Sequence, residues 1–154
     1  MNSTIALRPA GLDDAELLLS YARAFHMEDG HPLSPLAEEA LKSLLGMPEA
    51  GRIFIIEDAG QPAGYGVLCF GFSIEFGGRD CFIDDLYIVP QARGRGVGAA
   101  SIALLSEISR TFGCKALHLE VMAENERAAR LYTRHGFKDR GSMLMSQRLT
   151  DGQA

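Results

Sequence analysis

The sequence of 154 residues has few features of membrane, secreted or metal-binding proteins. No apolar run approaches the roughly 20 residues of a membrane-spanning helix, and the first residues show no signal-peptide pattern, so we expect no membrane partner. The three cysteines, Cys69, Cys81 and Cys114, are an odd number without the spacing of metal ligands. Cys69 and Cys81 lie in apolar segments typical of small buried side chains. We therefore expect no metal site and a reducing, cytoplasmic location.

Positive charge is also scarce, with 15 Lys and Arg against 20 Asp and Glu and a net charge of −5. A general nucleic-acid-binding protein needs a basic face that displaces counterions, so we expect no nucleic-acid partner. Acidic residues that line a cleft would instead favour a cationic substrate. The motifs Gly-x-Ser-x-Gly, His-Glu-x-x-His and Cys-x-x-Cys are absent from the sequence.

The apolar content of 47%, over a length typical of one domain, predicts a single folded domain at residues 1–154. Apolar alternation between turn signals predicts strands, and apolar residues at helical spacing after capping residues predict helices. The predicted strands are at residues 4–8, 52–58, 63–75, 81–89, 116–121, 137–140 and 142–149, the last two forming a hairpin. The predicted helices are at residues 14–27, 35–46, 97–112 and 125–135.

A glycine-rich turn at residues 91–98, Gln-Ala-Arg-Gly-Arg-Gly-Val-Gly, joins the central predicted strand to an Ala- and Leu-rich helix. Glycines permit a tight turn and the close approach of a ligand to the backbone. Free N–H groups and the dipole of the following helix attract anions such as phosphate. No Lys follows as in a P-loop, and the glycine spacing differs from that of a dinucleotide-binding fold. The alternative is a glycine-rich connection with solvated arginines.

A second motif is at residues 125–137, Asn-Glu-Arg-Ala-Ala-Arg-Leu-Tyr-Thr-Arg-His-Gly-Phe. The turn resembles the Gln/Arg-x-x-Gly-x-Gly/Ala loop with which the GNAT family of N-acetyltransferases holds the pyrophosphate of acetyl-CoA. The second motif is similar to that family's pattern of Asn, Ala, Tyr and Gly-Phe, and the two motifs occur in the family's order. The resemblance implies the GNAT fold, an α/β fold with a mixed, mostly antiparallel central sheet of six to seven strands and about four helices packed on it.

The resemblance also implies that acetyl-CoA is the cosubstrate. It assigns cofactor contacts to the backbone of the central strand, to the glycine loop and to the Asn of the second motif. These residues are Leu86, Ile88, Arg93, Gly94, Arg95, Gly96, Val97, Gly98, Ala99 and Asn125. Asn125 is equally a good N-cap for the helix that follows it.

Asp84 and Asp85 lie in the central strand, which resembles a strand of diamine acetyltransferases that carries an acidic pair. By that resemblance Asp84 accepts the proton of the amine, and Asp85 lies beside it. Because Asp is one methylene shorter than Glu, we expect a water relay rather than direct contact. Strand side chains alternate, so the two carboxylates should face opposite sides unless the strand bulges, and either could instead pair with an arginine. Tyr132 matches the family's Tyr that faces the coenzyme sulfur and is the candidate acid. Its alternative is a packed aromatic residue whose hydroxyl binds water.

We predict an N-acetyltransferase that transfers the acetyl group of acetyl-CoA directly to a primary amine of a small molecule in a ternary complex. The alternatives are acetylation of a protein N-terminus or lysine, and a non-catalytic acyl-CoA-binding regulatory module. His26 and Glu120 are weak candidates for contact with the acceptor, against an ordinary polar loop and a hydrated sheet edge. Homodimers are common in the family that the chain resembles, so a homodimer is a further expectation.

Overall fold

The structure is a computed structural model that describes residues 4–151. The chain forms two compact units, Met1–Glu120 and Val121–Ala154. The single domain predicted over residues 1–154 stays a prediction.

The first unit contains five strands and three α-helices among its described residues. The strands are β1 (Ile5–Pro9), β2 (Gly51–Asp58), β3 (Gln61–Ser73), β4 (Gly78–Ile88) and β5 (Ala116–His118), and the helices are α1 (Ala15–Glu28), α2 (Pro35–Leu44) and α3 (Val97–Thr111). Short 3-10 turns precede α1 at Leu12–Asp14 and α3 at Pro90–Ala92. These bounds lie within three residues of the predicted ones.

The five strands form one sheet in the order β1-β2-β3-β4-β5. The first four are antiparallel neighbours, and β5 runs parallel to β4. The prediction of a mixed, mostly antiparallel sheet is therefore confirmed. The predicted number of six to seven strands is wrong, because residues 4–151 contain five.

Helices cover both faces of the sheet. On one face, Leu18 and Ala22 of α1 pack against Tyr65 and Val67 of β3 in a buried cluster that also includes Ile53, Ile55 and Tyr87. On the other face α3 packs closely, since a methyl group at Gly66 would lie 3.5 Å from Leu105. Alternate residues of β3 point to opposite faces, and over residues 63–68 both sets are buried, as in a sheet covered on both sides.

The start of α2 shows side-chain capping, whereas Asp14, at the N-cap position of α1, makes no side-chain cap hydrogen bond. Ser34 Oγ accepts a hydrogen bond from the Ala37 N–H at 3.1 Å, with Pro35 in the first turn of α2. The α1 and α2 helices are joined by the ion pair of Arg23 with Glu38 at 2.7 Å. Within residues 4–151, none of the helices combines the length and the apolar composition that a membrane crossing requires.

The second unit contains one helix, α4 (Glu126–Arg134), and no strand among residues 121–151. The hairpin predicted at residues 137–140 and 142–149 is therefore wrong. The segment 142–149 contains neither a β-branched nor an aromatic residue, and an isolated hairpin is only marginally stable in water. Met143, Leu144 and Met145 are exposed, so burial does not stabilise a strand there.

Strand β5 also ends earlier than predicted, at His118 rather than at residue 121. It pairs with β4 only at residues 80–82 of the latter, through Asp80↔Ala116, Cys81↔Leu117 and Phe82↔His118. Just beyond these pairs β4 carries a bulge, and a bulge bends its strand. Strand β5 therefore has no pairing partner beyond His118.

Candidate functional site

The bulge in β4 lies at Asp84. The register with β3 changes between the pairs Val67↔Asp85 and Leu68↔Ile83, which leaves Asp84 without a partner opposite it. A bulge adds one residue to a strand and interrupts its alternation of side chains. The expectation that the two carboxylates face opposite sides therefore does not apply to this strand.

Both carboxylates lie on the sheet face that α1 covers. Ile83 and Leu86 pair with Leu68 and Gly66, which belong to the face that α3 covers. Asp84 and Asp85, the two residues between them, therefore belong to the α1 face. Asp85 pairs with Val67 of the α1 face. Burial raises the pKa of Cys69, another residue of this face, to about 11, and the charges of Asp84 and Asp85 add to that shift. The bulge thus places two neighbouring carboxylates on one side of the strand.

Asp85 is the more buried carboxylate and has a defined partner. Its Oδ2 accepts a hydrogen bond from the hydroxyl of Tyr65 at 2.8 Å, whereas Asp84 is exposed. Burial raises the pKa of Asp85, and the negative charges of Asp84 and Asp29 raise it further. The hydrogen bond from Tyr65 and the charge of His26 act in the opposite direction. Such a carboxyl group can exchange a proton closer to neutral pH than an exposed aspartate can.

The C-terminal end of α1 lies over this carboxylate pair. His26, in its last turn, and Asp29, which follows the helix, both act electrostatically on Asp85. Phe25 of the same helix packs against the ring of Tyr87 with ring centres 5.9 Å apart. His26, predicted as a weak acceptor contact, is therefore within electrostatic reach of the acidic pair.

The glycine loop connects β4 to α3. Gly94 and Gly96 have φ values of 78° and 80°, a left-handed conformation that glycine adopts most readily. Gly96 is the N-cap of α3 and supplies no side-chain cap, so the first N–H groups of the helix lack that partner. A Cβ atom at either glycine would meet no atom within 4 Å, so the loop surface is open. These features fit the diphosphate of a coenzyme at the helix N-terminus.

The two arginines of the loop are held by carboxylates of the protein. Arg93 donates to Glu28 at 2.7 Å and to the carbonyl of Ile88 at 2.9 Å. Arg95 pairs with Asp58 at 3.1 Å. Arg93 thereby ties the start of the glycine loop to the end of α1. Because both guanidinium groups already have carboxylate partners, we expect the backbone amides of the loop to be the main phosphate-binding groups.

One edge of β4 is open next to the acidic pair. Among residues 4–151, β4 beyond Phe82 pairs with β3 alone, because the ladder to β5 ends there. Leu86 and Ile88, the predicted backbone contacts, lie in this part of the strand. An extended group can add to such an edge through backbone hydrogen bonds, as the pantetheine arm of coenzyme A would.

The remaining candidates lie elsewhere in the chain. Asn125 and Tyr132 belong to the second unit, where Asn125 Oδ1 caps α4 by accepting from the Ala128 N–H at 3.2 Å. Burial raises the pKa of Tyr132, whose ring packs 6.0 Å from that of Phe137. Glu120 is exposed and lies beyond the end of β5. In the part of the chain that the structure describes, no group of three His, Cys, Asp or Glu side chains could hold a metal ion.

Sequence reasoning did not single out Tyr65, which is the direct partner of Asp85. In the sequence Tyr65 is one of several aromatic residues of an apolar strand, 20 positions before Asp85. Its signal would have been the antiparallel pairing of β3 with β4, which puts Tyr65 opposite Tyr87 and two residues from the partner of Asp85. The bulge that sets this register has no local sequence signature.

Comparison with known proteins defines the class of protein. The profile described as "Acetyltransferase (GNAT) family" matches residues 16–137, and the chain belongs to this family. This family membership confirms the resemblance found in the two sequence motifs.

Particular relatives are similar over part or all of the chain. The thialysine N-epsilon-acetyltransferase of Bos taurus is 34% identical over 90 residues, which are 55% of this chain and 52% of the relative. The uncharacterized N-acetyltransferase YhfO of Bacillus subtilis is 31% identical over 67% of this chain and 68% of its own. The crystal structure of the integron cassette protein HFX_CASS3, from the mobile metagenome of Cole Harbour Salt Marsh, is 36% identical with a TM-score of 0.82, covering 95% of this chain and 91% of that one. The chain spans about half the length of the thialysine acetyltransferases that it matches.

Proposed function

We propose that the protein transfers the acetyl group of acetyl-CoA to a primary amine of a small molecule. The observation that carries this proposal is the bulge in β4, which puts Asp84 and Asp85 on one face beside an open strand edge. Membership of the GNAT family and the similarity to a thialysine acetyltransferase support the same reaction.

Acetyl-CoA would supply the activated acetyl group as a thioester. The amides at residues 93–99 would bind its diphosphate, and the backbone of Leu86 and Ile88 would hold its arm along β4. An N–H of that strand segment would also donate to the carbonyl oxygen of the acetyl group, where negative charge develops during transfer. The left-handed glycines and the uncapped start of α3 support this binding mode.

The acceptor must lose a proton, because an ammonium group has no lone pair with which to attack. A carboxylate of the Asp84 and Asp85 pair would take this proton, directly or through water. In the overall reaction the amine nitrogen gains a bond to the acetyl carbon, the carbon–sulfur bond breaks, and the sulfur gains a proton. The hydroxyl of Tyr132 remains the predicted donor of that proton; burial raises its pKa, which keeps the hydroxyl protonated at neutral pH.

The acceptor is best matched by a small cation. Asp84, Asp85 and Asp29 bring three carboxylates to one region, and an amine acceptor is itself cationic before it loses its proton. Peptide or lysine acetylation needs an open groove for a chain and remains the alternative. A non-catalytic acyl-CoA-binding module would bind the coenzyme without turning it over.

The test is thiol release from acetyl-CoA with a panel of primary mono-, di- and polyamines, next to peptides with a free N-terminus or lysine. We expect acetyl-CoA alone to raise the Tm, and small cationic amines to be turned over faster than any peptide. Binding without turnover of any amine would overturn the enzymatic proposal. Preferential turnover of peptides would replace the small acceptor with a protein one.

We also propose a reducing, cytoplasmic location and a homodimer. Three cysteines that form no disulfide support the first, since disulfides persist in oxidising compartments. The exposed apolar residues Phe72 and Ile74 at the end of β3 support the second, because exposed apolar patches often mark contact surfaces. Light scattering of the purified protein measures the oligomeric state directly.

A further inference from the structure

We propose that Tyr65 is a positioning residue of the acceptor site, whose hydroxyl holds Oδ2 of Asp85 and so directs Oδ1 toward the acceptor amine. This inference rests on the proposed acetyltransferase function and deepens it. Tyr65 belongs to neither of the two sequence motifs.

Tyr65 is a rigid support. Its side chain is fully buried, and its ring stacks on Tyr21 with ring centres 6.4 Å apart and planes 15° apart. Tyr87, opposite it on β4, packs at 6.3 Å, and Leu18 and Ala22 complete the surroundings. A ring enclosed in this way keeps one rotamer, so its hydroxyl has a fixed position.

The hydrogen bond occupies one oxygen of a carboxylate that the bulge has placed on this face. The distance from the Tyr65 hydroxyl to Asp85 Oδ2 is 2.8 Å. An ionised carboxylate accepts about four hydrogen bonds over its two oxygens, so Oδ1 can still receive a proton or an N–H group. The side chain of Asp85 has two rotatable bonds, and anchoring one oxygen fixes where the other one lies.

A purely structural role for this pair fits the site less well. A buried tyrosine needs a hydrogen-bond partner, but a neutral acceptor such as a carbonyl would suffice. Here the partner is a half-buried carboxyl group next to a second carboxylate, an arrangement that costs free energy. The groups that act on Asp85 or respond to it are Tyr65 and Cys69 from β3, Asp84 from β4, and His26 and Asp29 from the end of α1. A buried charge that destabilises the fold and lies next to the unpaired edge of a strand is typical of a functional site.

The experiment compares Tyr65→Phe with Tyr87→Phe. Both variants remove one hydroxyl from the same aromatic cluster, but only the first removes the hydrogen bond to Asp85. We expect Tyr65→Phe to lower kcat/KM for the amine about tenfold at neutral pH and to leave the KM for acetyl-CoA unchanged. The acidic limb of its pH profile of kcat/KM should move to higher pH. The hydrogen bond from Tyr65 stabilises the ionised form of Asp85, so its removal raises the pKa of this carboxyl group. Tyr87→Phe should keep the wild-type profile.

Asp85→Asn supplies the second variant, since Asn still accepts from the tyrosine but cannot take up a proton. Adding Tyr65→Phe to Asp85→Asn should then cost less than twofold, because both changes act through one group. Equal losses in Tyr65→Phe and Tyr87→Phe, an unmoved acidic limb, or full additivity with Asp85→Asn would each overturn the proposal.

An NMR titration separates this proposal from the proposed function. The ¹³C carboxyl signal of Asp85, assigned by its loss in Asp85→Asn, should titrate at a higher pH in Tyr65→Phe than in the wild type. This measurement needs no substrate. If no amine is acetylated and the midpoint still moves, the acetyltransferase proposal fails. The hydrogen bond of Tyr65 then still lowers the pKa of Asp85, but Asp85 has no acceptor amine to bind. An unmoved midpoint in an active enzyme overturns the role of Tyr65 alone.

Discussion

At the scale of single residues, the acidic pair proposed for catalysis lowers the stability of the fold. Burial and the charge of Asp84 raise the pKa of Asp85, so the folded protein holds this proton more tightly than the unfolded chain does. The folded state is then favoured at low pH, and this contribution is lost as the pH rises from the unfolded pKa of Asp85 through the raised folded one. At neutral pH the ionised carboxylate therefore destabilises the fold.

We expect Asp85→Asn to raise the stability by about 1 kcal/mol at pH 8 while it lowers acetyl transfer strongly. Asn keeps the shape and the acceptor for Tyr65 but removes the unfavourable charge. Near pH 3.5, where Asp85 is protonated, the gain should disappear. Denaturant unfolding at both pH values measures this difference.

Asp84→Asn is the matched control for that experiment, because Asp84 is the neighbouring carboxylate but is exposed. Its stability gain should be smaller, since solvent screens an exposed charge. If Asp85→Asn is less stable than the wild type at pH 8, burial of the charge is not what governs this residue.

At the scale of elements, local patterns were predictable and pairing between strands was not. The starts of α2 at Pro35 and of α3 at Val97, and the positions of β3 and β4, followed from residues adjacent in sequence. The bulge at Asp84 depends on how β3 and β4 pair at Val67 and Leu68, and adjacent residues do not encode that pairing.

The difference between local patterns and contacts of distant residues also explains the partners of the loop arginines and the wrongly predicted hairpin at residues 137–149. Arg93 and Arg95 look like phosphate ligands in a glycine-rich turn, but their partners Glu28 and Asp58 are distant in sequence. The hairpin predicted after Gly136 had turn residues at its centre but lacked β-branched side chains and a third strand.

The first turn of α3 yields a prediction that separates stability from ligand binding. Gly98 lies inside α3 without the left-handed conformation of Gly96, and a Cβ there would meet only Ile88, at an ordinary 4.0 Å. We expect Gly98→Ala to raise stability by about 0.5–1 kcal/mol, a Tm increase of roughly 1–4 °C, because Ala favours the helix. Acetyl-CoA affinity should fall at least fivefold, because the added methyl group would enter the space proposed for the diphosphate.

Gly96→Ala provides the contrast. Its φ of 80° strains any residue with a Cβ, so this variant should lose about 1 kcal/mol of stability even without coenzyme. Thermal unfolding with and without acetyl-CoA distinguishes the two glycines. Unchanged coenzyme affinity in Gly98→Ala would contradict the binding mode proposed for the loop.

At the scale of the whole molecule, the net charge of −5 and the acidic acceptor region act in the same direction on a cationic substrate. A negative field raises the local concentration of cations and speeds their encounter with the site, and salt screens this effect over about 10 Å at 0.1 M. An acceptor with two positive charges should respond to this field more strongly than one with a single charge.

We therefore expect kcat/KM for a diamine to fall severalfold between about 20 and 200 mM salt, and that for a monoamine of equal length to fall less. Asp29→Asn should weaken this salt dependence, because Asp29 lies within electrostatic reach of Asp85. Glu107→Gln changes the net charge by the same amount on the exposed surface of α3, where Glu107 pairs with Arg110. If both variants alter the salt dependence equally, total charge governs the encounter; if only Asp29→Asn does, the carboxylates under the end of α1 select the cation.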